Sequence, residues 1–457
     1  MPPERSPDQP TPLIDMTSEA DFIVHAGWLF SAAPDAVAEE SAAVAVKDRR
    51  IVAVGARPDI ESTWHADEVI ELPDHLLLPG LVNAHTHSPM TLLRGVGNDM
   101  PLHEWLFELI FPLEAKWVSP EFVADGARLA LAEMIRAGIT CFSDQYYFPE
   151  TIATVASEAG VRAQIAVPII EQANAWAKSS DEGLRRATEL HDHWRGDERI
   201  TIAHGPHAPY SVDIATFETL ASISEEIQSP VHIHLHETAR EVSDFRLIHG
   251  CSPIRKLRDI GLVSPRLQAV HMTTLDDADM DIVLENNVGV VHCPQSNALL
   301  ASGPSPLAKL VEAGVRVGLG TDGAVSNNSL DVLQEMRAAK LLANKASGKN
   351  SMFSAADFVR LGTIGSASVL GRDDHIGSLE TGKWADMIAI DMSSPGAQPV
   401  YDVLASALLT ASASRVTHTW VGGSPLMRDG TLTTLNETEV LARAKAWGTK
   451  ISEGIRA

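Results

Sequence analysis

Cysteine is scarce in this sequence: only Cys141, Cys251 and Cys293 occur, far apart and in no CxxC pair. This scarcity excludes a disulfide framework and a zinc site built from thiolates. Such cysteine usage is typical of a reducing compartment, so we expect a cytoplasmic protein.

Positive charge is also scarce. The chain carries 36 lysines and arginines against 60 aspartates and glutamates, a formal net charge of −24, which disfavours nucleic acid and anionic membranes as partners. The first residues are proline-rich and acidic, and they contain no apolar run that resembles a signal peptide. We therefore expect a small-molecule substrate, no nucleic-acid or membrane partner, and a flexible tail over residues 1–20.

Two stretches whose residue pattern is typical of β-strands flank the middle of the chain. Apolar runs bounded by polar turns are FIVHAGWLF, AAVAVKDRRIVAVG and EVIELPDHLLLPG near the start, and GKWADMIAIDM and RVTHTWVGGSPLMRDGTL near the end. We interpret the early runs as strands without helices between them. The two flanks, residues 21–79 and 376–457, are predicted to pair into one small β-sandwich domain.

Between the flanks, over residues 80–375, strand-like runs alternate with helix-like segments such as SPEFVADGARLALAEMIRAG. Eight runs have the strand pattern: LLLPGLVNAH, GITCFSD, VRAQIAVPI, ITIAHGPH, VHIHLHE, LQAVHM, VGVVHCP and VRVGLGTD. Strands separated by helices imply parallel pairing, and eight of them predict an α/β fold with a (β/α)8 TIM-type barrel.

Ionisable side chains concentrate at the ends of these predicted strands. Six of the eight runs end in, or just before, such residues: His85 and His87, Asp144, His207, His234 with Glu237, His271, and Asp322. Barrel enzymes carry their chemistry at this end of the strands, whereas structural histidines would be scattered. A catalytic zinc site fits the pattern, because zinc binds imidazole and carboxylate ligands and keeps one position open for water.

The predicted ligands are His85, His87, Asp322 and one histidine of the fifth strand. His85 and His87 are one residue apart on a strand, so their side chains point to the same side. The fifth strand is ambiguous, because its three histidines all share one face.

On the fifth strand we favour His234 as the ligand. His232 and His236 lie about 7 Å from it along the strand, at about 3.3 Å per residue, and we assign them to a packed polar network or to loop contacts. Glu237, just past the strand, is the predicted proton carrier.

A single metal ion is predicted. Two-metal barrels of this kind often bridge their ions with a carboxylated lysine on the fourth strand, yet only Lys116 and Lys178 occur between His87 and His234, and neither lies in a strand-like run. His271 is then free to donate a hydrogen bond to the reacting oxygen, which is electrostatic stabilisation by a fixed donor.

Five motifs follow one another along the chain: PGLVNAHTHSPMTLLRG, GPHAPYS, HIHLHETAREV, HCPQSNALLASG and GLGTDGAVSNNSLDVLQEMR. Together they resemble the amidohydrolase superfamily, and within it the branch of the 5-methylthioadenosine/S-adenosylhomocysteine deaminases and the triazine hydrolases. The segment IGSLETGKWADMIAID resembles the return of that family into its small β domain.

The resemblance implies one zinc ion per chain, with these ligands: His85, His87, His234 and Asp322. It implies Glu237 as the general acid and base, and we expect His271 and Asp322 to take part in catalysis with it. The implied reaction is hydrolytic deamination, in which water adds to C6 of an adenine ring, Glu237 carries the proton to a ring nitrogen, and ammonia leaves.

The resemblance also implies contacts with the substrate. They are expected from Trp105 in LHEWLF, Glu114 in FPLEAKW, His207 in GPHAPYS, Glu237 and Asp322. Trp105 and Glu114 also have a purely structural interpretation. An aromatic residue on a helix more often packs in the core, and a glutamate on a helix is more often exposed to solvent.

The third strand departs from the pattern of the family. Members that accept S-adenosylhomocysteine are expected to hold its carboxylate with arginines near this strand. In this chain the strand ends IAVPIIEQAN, which contains no basic residue. The loop beyond it offers only Arg185 and Arg186, in KSSDEGLRR. A helix beginning there is expected to expose both. We therefore rank 5′-methylthioadenosine and adenosine above S-adenosylhomocysteine.

Two other readings remain open at this point. One is an aminohydrolase or chlorohydrolase of another nitrogen heterocycle, such as a triazine, guanine or a pterin-like ring, with the same metal and a different pocket. The other is a non-catalytic scaffold on this fold, which would be expected to lose metal ligands, whereas all four are present. By analogy with the family, we expect this chain to form a homo-oligomer.

Overall fold

The computed structural model describes residues 18–97, 100, 104–349, 353–410 and 413–456. Of the tail predicted over residues 1–20, residues 1–17 lie outside this range. Ser18 and Glu19 form a short parallel pairing with Trp64 and His65, so the ordered fold begins before residue 21.

Six strands precede the barrel. They are β1 (Ser18–Glu19), β2 (Phe22–Leu29), β3 (Glu39–Lys47), β4 (Arg50–Ala56), β5 (Trp64–His65) and β6 (Glu68–Pro79). The expectation of strands without helices was wrong at one place, because a short helix, Arg57–Thr63, follows β4 with Pro58 in its first turn and only Ile60 buried. A helix that buries one side chain leaves almost no periodic signal in the sequence.

The barrel consists of eight parallel strands, each hydrogen-bonded to its neighbour in chain order. They are β7 (Leu81–Thr86), β8 (Ile139–Asp144), β9 (Arg162–Ile169), β10 (Ile200–Pro206), β11 (Val231–Leu235), β12 (Leu267–His271), β13 (Gly289–His292) and β14 (Arg316–Leu319). Each overlaps one of the eight predicted runs, so the predicted barrel is confirmed.

The first predicted run is divided in the structure, because β6 ends at Pro79 and β7 begins at Leu81. Gly80 lies at the division, where a Cβ atom would come within 2.1 Å of Thr140 Oγ1. Only glycine fits this close approach, which lets the chain pass directly from the second sheet into the barrel.

The first and last barrel strands meet at their carboxyl ends. Thr321 N donates to Asn83 Oδ1 at 2.9 Å, and Asn83 Nδ2 donates to Thr321 Oγ1 at 2.8 Å. Just beyond, Asp322 N donates to the carbonyl of His85 at 3.0 Å. These bonds bring the ends of β7 and β14 together, although the two strands do not form a ladder.

Helices pack around and between the strands. The α-helices are Arg57–Thr63, Phe111–Trp117, Pro120–Arg136, Pro149–Ala159, Ser180–His193, Ile214–Ile227, Ala239–His249, Pro253–Asp259, Asp277–Glu285, Pro294–Leu299, Leu307–Glu312, Val332–Ser347, Ala355–Arg360, Ser366–Val369, Val403–Thr410 and Glu437–Arg456. Turns of 3-10 or π helix are Ser88–Leu93, Trp105–Ile110, Leu361–Gly365 and Ala413–Arg415. None of the described helices is long and apolar enough to cross a membrane.

The remaining strands return to the first sheet. They are β15 (Met387–Asp391), β16 (Val416–Val421), β17 (Ser424–Arg428) and β18 (Thr431–Leu432). Because β15 pairs antiparallel with β6, both flanks of the chain form one continuous eight-stranded sheet in the order β18-β17-β16-β15-β6-β2-β3-β4. The prediction that both flanks build one β unit is confirmed, while the predicted domain boundaries stay a prediction.

Candidate active site

Four polar side chains meet at the carboxyl ends of β7, β11 and β14. Nε2 of His85 and Nε2 of His87 lie 3.4 Å and 3.2 Å from Asp322 Oδ1. Nε2 of His234 lies 3.2 Å from Nε2 of His85. The donor atoms form two groups of three that share His85: His85 with His87 and Asp322, and His85 with His234 and His271. The four predicted metal ligands thus lie around His85, with His271 as a further nearby donor.

The other ring nitrogens of these histidines have partners of their own. Nδ1 of His87 donates to the carbonyl of Gln145 at 2.6 Å, and Nδ1 of His234 donates to the carbonyl of His207 at 2.7 Å. A carbonyl oxygen only accepts, so both Nδ1 atoms carry a proton and both Nε2 atoms are directed at the cluster, where each offers a lone pair to an ion once it is deprotonated. Imidazole nitrogens together with a carboxylate form a donor set that fits zinc.

The charges within the cluster also fit a cation. Burial lowers the pKa of His87, but hydrogen bonding to Asp322 overcomes this effect and raises it to about 9. Burial alone would raise the pKa of Asp322, yet its contacts with His85 and His87 hold the pKa of this carboxyl well below its usual range. A divalent ion would therefore replace the proton that the pair of His87 and Asp322 shares at neutral pH.

The three histidines of the predicted fifth strand occupy different surroundings, and β11 contains only two of them because it ends at Leu235. His232 lies below the cluster, where its Nε2 is 2.8 Å from His85 Nδ1 and its Nδ1 is 2.9 Å from Gln268 Oε1. His236 is turned away at a φ of 54°, with Nδ1 donating to Thr274 O at 2.6 Å. Of the three, only His234 lines the cavity at the cluster.

Glu237 and His271 stand beside the cluster. Glu237 Oε1 lies 3.9 Å from His271 Nε2, and burial raises the pKa of the Glu237 carboxyl. The backbone N–H of Glu237 donates to Glu241 Oε2 at 2.8 Å, which fixes the loop that follows β11. His271 Nδ1 lies 2.8 Å from Asn297 Oδ1. A carboxyl with a raised pKa and an oriented imidazole are suited to proton transfer.

An open cavity lies above the cluster, and all five residues predicted to contact the substrate line it: Trp105, Glu114, His207, Glu237 and Asp322. Glu114 is only 7% exposed, so the solvated reading of this residue is wrong. Burial raises its pKa to about 7, although the hydrogen bond from Tyr146 Oη at 2.6 Å acts in the opposite direction. Nδ1 of His207 is held by Ser211 Oγ at 2.9 Å.

No lysine or arginine is among the described residues that line this cavity. Arg185 lies on the exposed side of the helix Ser180–His193 and donates to Glu189 Oε1 at 2.6 Å. Arg186 donates to the carbonyl of Trp176 at 2.6 Å. Both arginines are therefore engaged away from the site.

One ionisable residue at a strand end does not join the cluster. Asp144 Oδ2 accepts a hydrogen bond from the backbone N–H of Ser88 at 2.7 Å and so holds the turn that follows His87. Its role is to shape the loop that carries a predicted ligand.

Sequence reasoning missed two residues that orient the site. Ser296 Oγ donates to Asp322 Oδ2 at 2.6 Å, and Asn297 holds His271. Both lie in the motif HCPQSNALL, immediately after β13. The signal that could have identified them is the barrel itself, because residues that follow a seventh strand must face the same site as those of the other seven.

Comparison with known proteins gives a family and several relatives. The model of the amidohydrolase family matches residues 76–426. A 5-methylthioadenosine/S-adenosylhomocysteine deaminase of Saccharophagus degradans is 41% identical over 432 residues, which cover 94% of this chain and 97% of that protein. A deaminase with the same description from Teredinibacter turnerae is 41% identical and covers 95% of this chain and 98% of its own length.

Solved structures with the same architecture include two that hold zinc. An adenosine deaminase from Xanthomonas campestris with bound zinc has a TM-score of 0.94 and 43% identity, and the match covers 96% of this chain and all of that one (100%). An atrazine chlorohydrolase from Arthrobacter aurescens in complex with zinc has a TM-score of 0.87 at 23% identity, covering 93% of this chain and 100% of its own. The similarity to the atrazine chlorohydrolase supports a shared fold and nothing further.

Proposed function

Because this chain belongs to the amidohydrolase family and is a hydrolytic deaminase, we propose that it removes the 6-amino group of adenine nucleosides as ammonia. The observation that carries this proposal is the placement of Glu237 and His271 beside the cluster of His85, His87, His234 and Asp322, at one wall of the cavity. The relatives at 41% identity, described as 5-methylthioadenosine/S-adenosylhomocysteine deaminases, support the substrate class.

We further propose that the four clustered residues hold one zinc ion. Their donor set suits zinc, and a protein of 43% identity binds zinc in its crystal structure. When bound, zinc lowers the pKa of water from about 15.7 towards about 7, so that a nucleophile exists at neutral pH. The hydrogen bonds to Nδ1 of His87 and His234 fix the ring orientations that this binding requires.

Glu237 acts as the proton carrier. It takes a proton from the attacking water and delivers it to ring nitrogen N1, while the water oxygen forms a bond to C6. The second proton of the water passes from the hydroxyl group at C6 to the amino group, the C6–N6 bond breaks, and ammonia leaves with formation of the C6 carbonyl of the inosine analogue. A buried carboxyl with a raised pKa is suited to this task, because it must both accept and release a proton near neutrality.

His271 stabilises the oxygen that is added at C6. Its Nε2 faces Glu237, and its Nδ1 contacts the side-chain amide of Asn297, which can donate or accept. Nδ1 donates to Asn297 Oδ1 at 2.8 Å, so Nε2 is directed at the reacting oxygen and donates to it when the ring carries its second proton. Such a preoriented donor stabilises charge that develops in the transition state.

The remaining residues of the cavity hold the nucleoside. Trp105 contributes an apolar ring, and Glu114 and His207 offer hydrogen-bonding groups at the wall. With a pKa of about 7, Glu114 is able to donate or accept a hydrogen bond at neutral pH. Tyr146 fixes the position of its carboxyl through the bond at 2.6 Å.

We expect kcat/KM for 5′-methylthioadenosine to exceed that for S-adenosylhomocysteine by at least about tenfold, or ~1.4 kcal/mol. No cation among the described lining residues can pair with a carboxylate on the 5′ substituent. Removing an unpaired carboxylate from water costs several kcal/mol. The methylthio group has no such cost, and its burial contributes about 1 kcal/mol. Steady-state kinetics on the two nucleosides measure the ratio.

Equal values for the two substrates would contradict this preference. They would point to Arg240, which lies on the groove that continues outward past Tyr210 and Glu237. The variant Arg240→Gln would then separate the two substrates, because only S-adenosylhomocysteine carries the carboxylate.

Ammonia release across a panel of ring amines tests the function itself. The panel contains 5′-methylthioadenosine, adenosine, S-adenosylhomocysteine, guanine, a pterin and an aminotriazine, with chloride release from a chlorotriazine measured in parallel. The proposal requires that an adenine nucleoside give the highest kcat/KM. Turnover of guanine, the pterin or a triazine without turnover of any adenine nucleoside would contradict the proposal and identify the enzyme as a hydrolase of a different heterocycle.

A further inference from the structure

A second large cavity opens at the opposite end of the barrel, where the strands begin. It has a volume of about 540 Å³ and is reached by Ile200 and Ile202 at the start of β10, whereas His207, just past the other end of that strand, faces the candidate active site. Its wall includes three arginines and two histidines: Arg50, His191, Arg195, Arg372 and His375. Such a concentration of cationic groups is unusual on a chain with a net charge of −24.

Arg372 is a buried cation without a carboxylate partner among the described residues. It is only 7% exposed, and its hydrogen bonds reach Thr201 Oγ1 at 3.4 Å and the carbonyl of Glu198 at 2.8 Å, both neutral acceptors. Its Nε makes no hydrogen bond. A guanidinium removed from water is normally compensated by an anion, because unpaired burial of a charge is costly.

A neighbouring arginine shows the usual arrangement. Arg162 is 0% exposed, and its Nε and Nη2 contact Asp386 Oδ2 and Oδ1 at 2.8 Å and 3.1 Å. The fold therefore supplies a carboxylate to one buried arginine of this region and none to Arg372. The difference indicates that the counter-anion of Arg372 comes from outside the chain.

Of the other groups on the wall, Arg50 reinforces the positive potential. Arg50 is half-buried, and it donates to the carbonyl of Gly382 at 2.7 Å and lies over the ring of Trp384. Arg195 pairs with Asp192 Oδ1 at 2.6 Å, and His191 Nδ1 lies 3.8 Å from the same atom, so neither adds unpaired positive charge. Arg50 thus keeps its full charge, since both of its contacts are with uncharged groups.

The acidic groups on the same wall are already engaged. The Glu198 carboxylate forms an ion pair with Arg49 at 2.8 Å. Asp197 Oδ1 accepts from the backbone N–H groups of Arg199 and Ile200, at 2.8 Å each. Neither carboxylate neutralises Arg372, so the cavity remains cationic at its inner end.

We propose that this cavity is a binding site for the phosphate group of a small phosphorylated molecule, separate from the deaminase site. Guanidinium groups bind phosphate oxygens through charge-assisted hydrogen bonds, and Arg372 with Arg50 supplies two of them from different elements. Inorganic phosphate would satisfy the same groups, but the volume of the cavity leaves room for an organic portion.

Isothermal titration of the zinc-loaded enzyme tests the site with two probes, ribose 5-phosphate and inorganic phosphate, in a buffer without phosphate. We expect saturable binding of one ribose 5-phosphate per chain, tighter than that of inorganic phosphate. Arg372→Gln and Arg50→Gln should each weaken it by at least about tenfold. Arg199→Gln is the matched control, because it removes a nearby positive charge that does not line the cavity, and it should leave binding unchanged.

Two results would overturn the proposal. One is the absence of saturable binding of either probe at millimolar concentration. The other is binding that neither Arg372→Gln nor Arg50→Gln weakens, since this would place the anion elsewhere, for example at the metal. Thermal unfolding of each variant shows whether it is folded. If Arg372→Gln does not fold, the binding measured with Arg50→Gln decides whether the anion binds in this cavity.

Discussion

Glu237→Gln is expected to lower kcat by about 10²–10⁴-fold, equivalent to about 3–5 kcal/mol of barrier, while the enzyme keeps its metal. Glutamine preserves the size of the side chain and the contact with Ser302 Oγ, but it cannot carry a proton from water to the ring. Ammonia release at saturating substrate gives kcat, and elemental analysis of the same sample gives the metal content.

Glu108→Gln is the control for this variant. Glu108 is an exposed glutamate on the turn Trp105–Ile110 at the mouth of the site, but it does not line the cavity. Its replacement should leave kcat unchanged. A Glu237→Gln enzyme with full metal content and wild-type kcat would remove Glu237 from the mechanism.

His234→Ala is expected to lose both the metal and the activity. The Nε2 atom of this residue lies 3.2 Å from Nε2 of His85, and alanine removes it from the proposed donor set. Elemental analysis should find about one ion per chain in the wild-type enzyme and close to none in the variant.

The two other histidines of the segment VHIHLHE, His232 on β11 and His236 just after it, provide matched controls. His232→Ala and His236→Ala should retain metal, because His232 contacts the site only through Nδ1 of His85 and His236 bonds to Thr274 O. Loss of the His232 contact weakens metal binding by about 10–100-fold at most. Equal loss of metal from His236→Ala and His234→Ala would contradict the assignment of the ligand.

The barrel was predictable because its signals repeat. Eight apolar runs separated by helices imply parallel strands, and the confirmed helix Pro120–Arg136 shows both the cap at Ser119 and the stop before Gly138 that its sequence indicates. The short helix Arg57–Thr63 was not predictable in this way, since it is too short to repeat a pattern. The pairing of β6 with β15 joins segments about 300 residues apart, so local patterns carry no information on its register.

The candidate site was predictable only in part. His85, His87 and Asp322 could be placed together because the carboxyl ends of barrel strands converge. The carbonyls of Gln145 and His207, which orient the ligands, could not be found from residue identity, because every residue carries a carbonyl. Whether one of them faces a ligand depends on loop geometry that only the folded structure contains.

We propose that a single metal ion at this cluster supports deamination of an adenine nucleoside. Zinc titration of metal-stripped enzyme, with ammonia release from 5′-methylthioadenosine as the readout, tests this role of the metal. We expect no activity without metal and a linear rise that stops at about one zinc ion per chain. Full activity of the stripped enzyme, or a rise that continues to about two ions per chain, would contradict it.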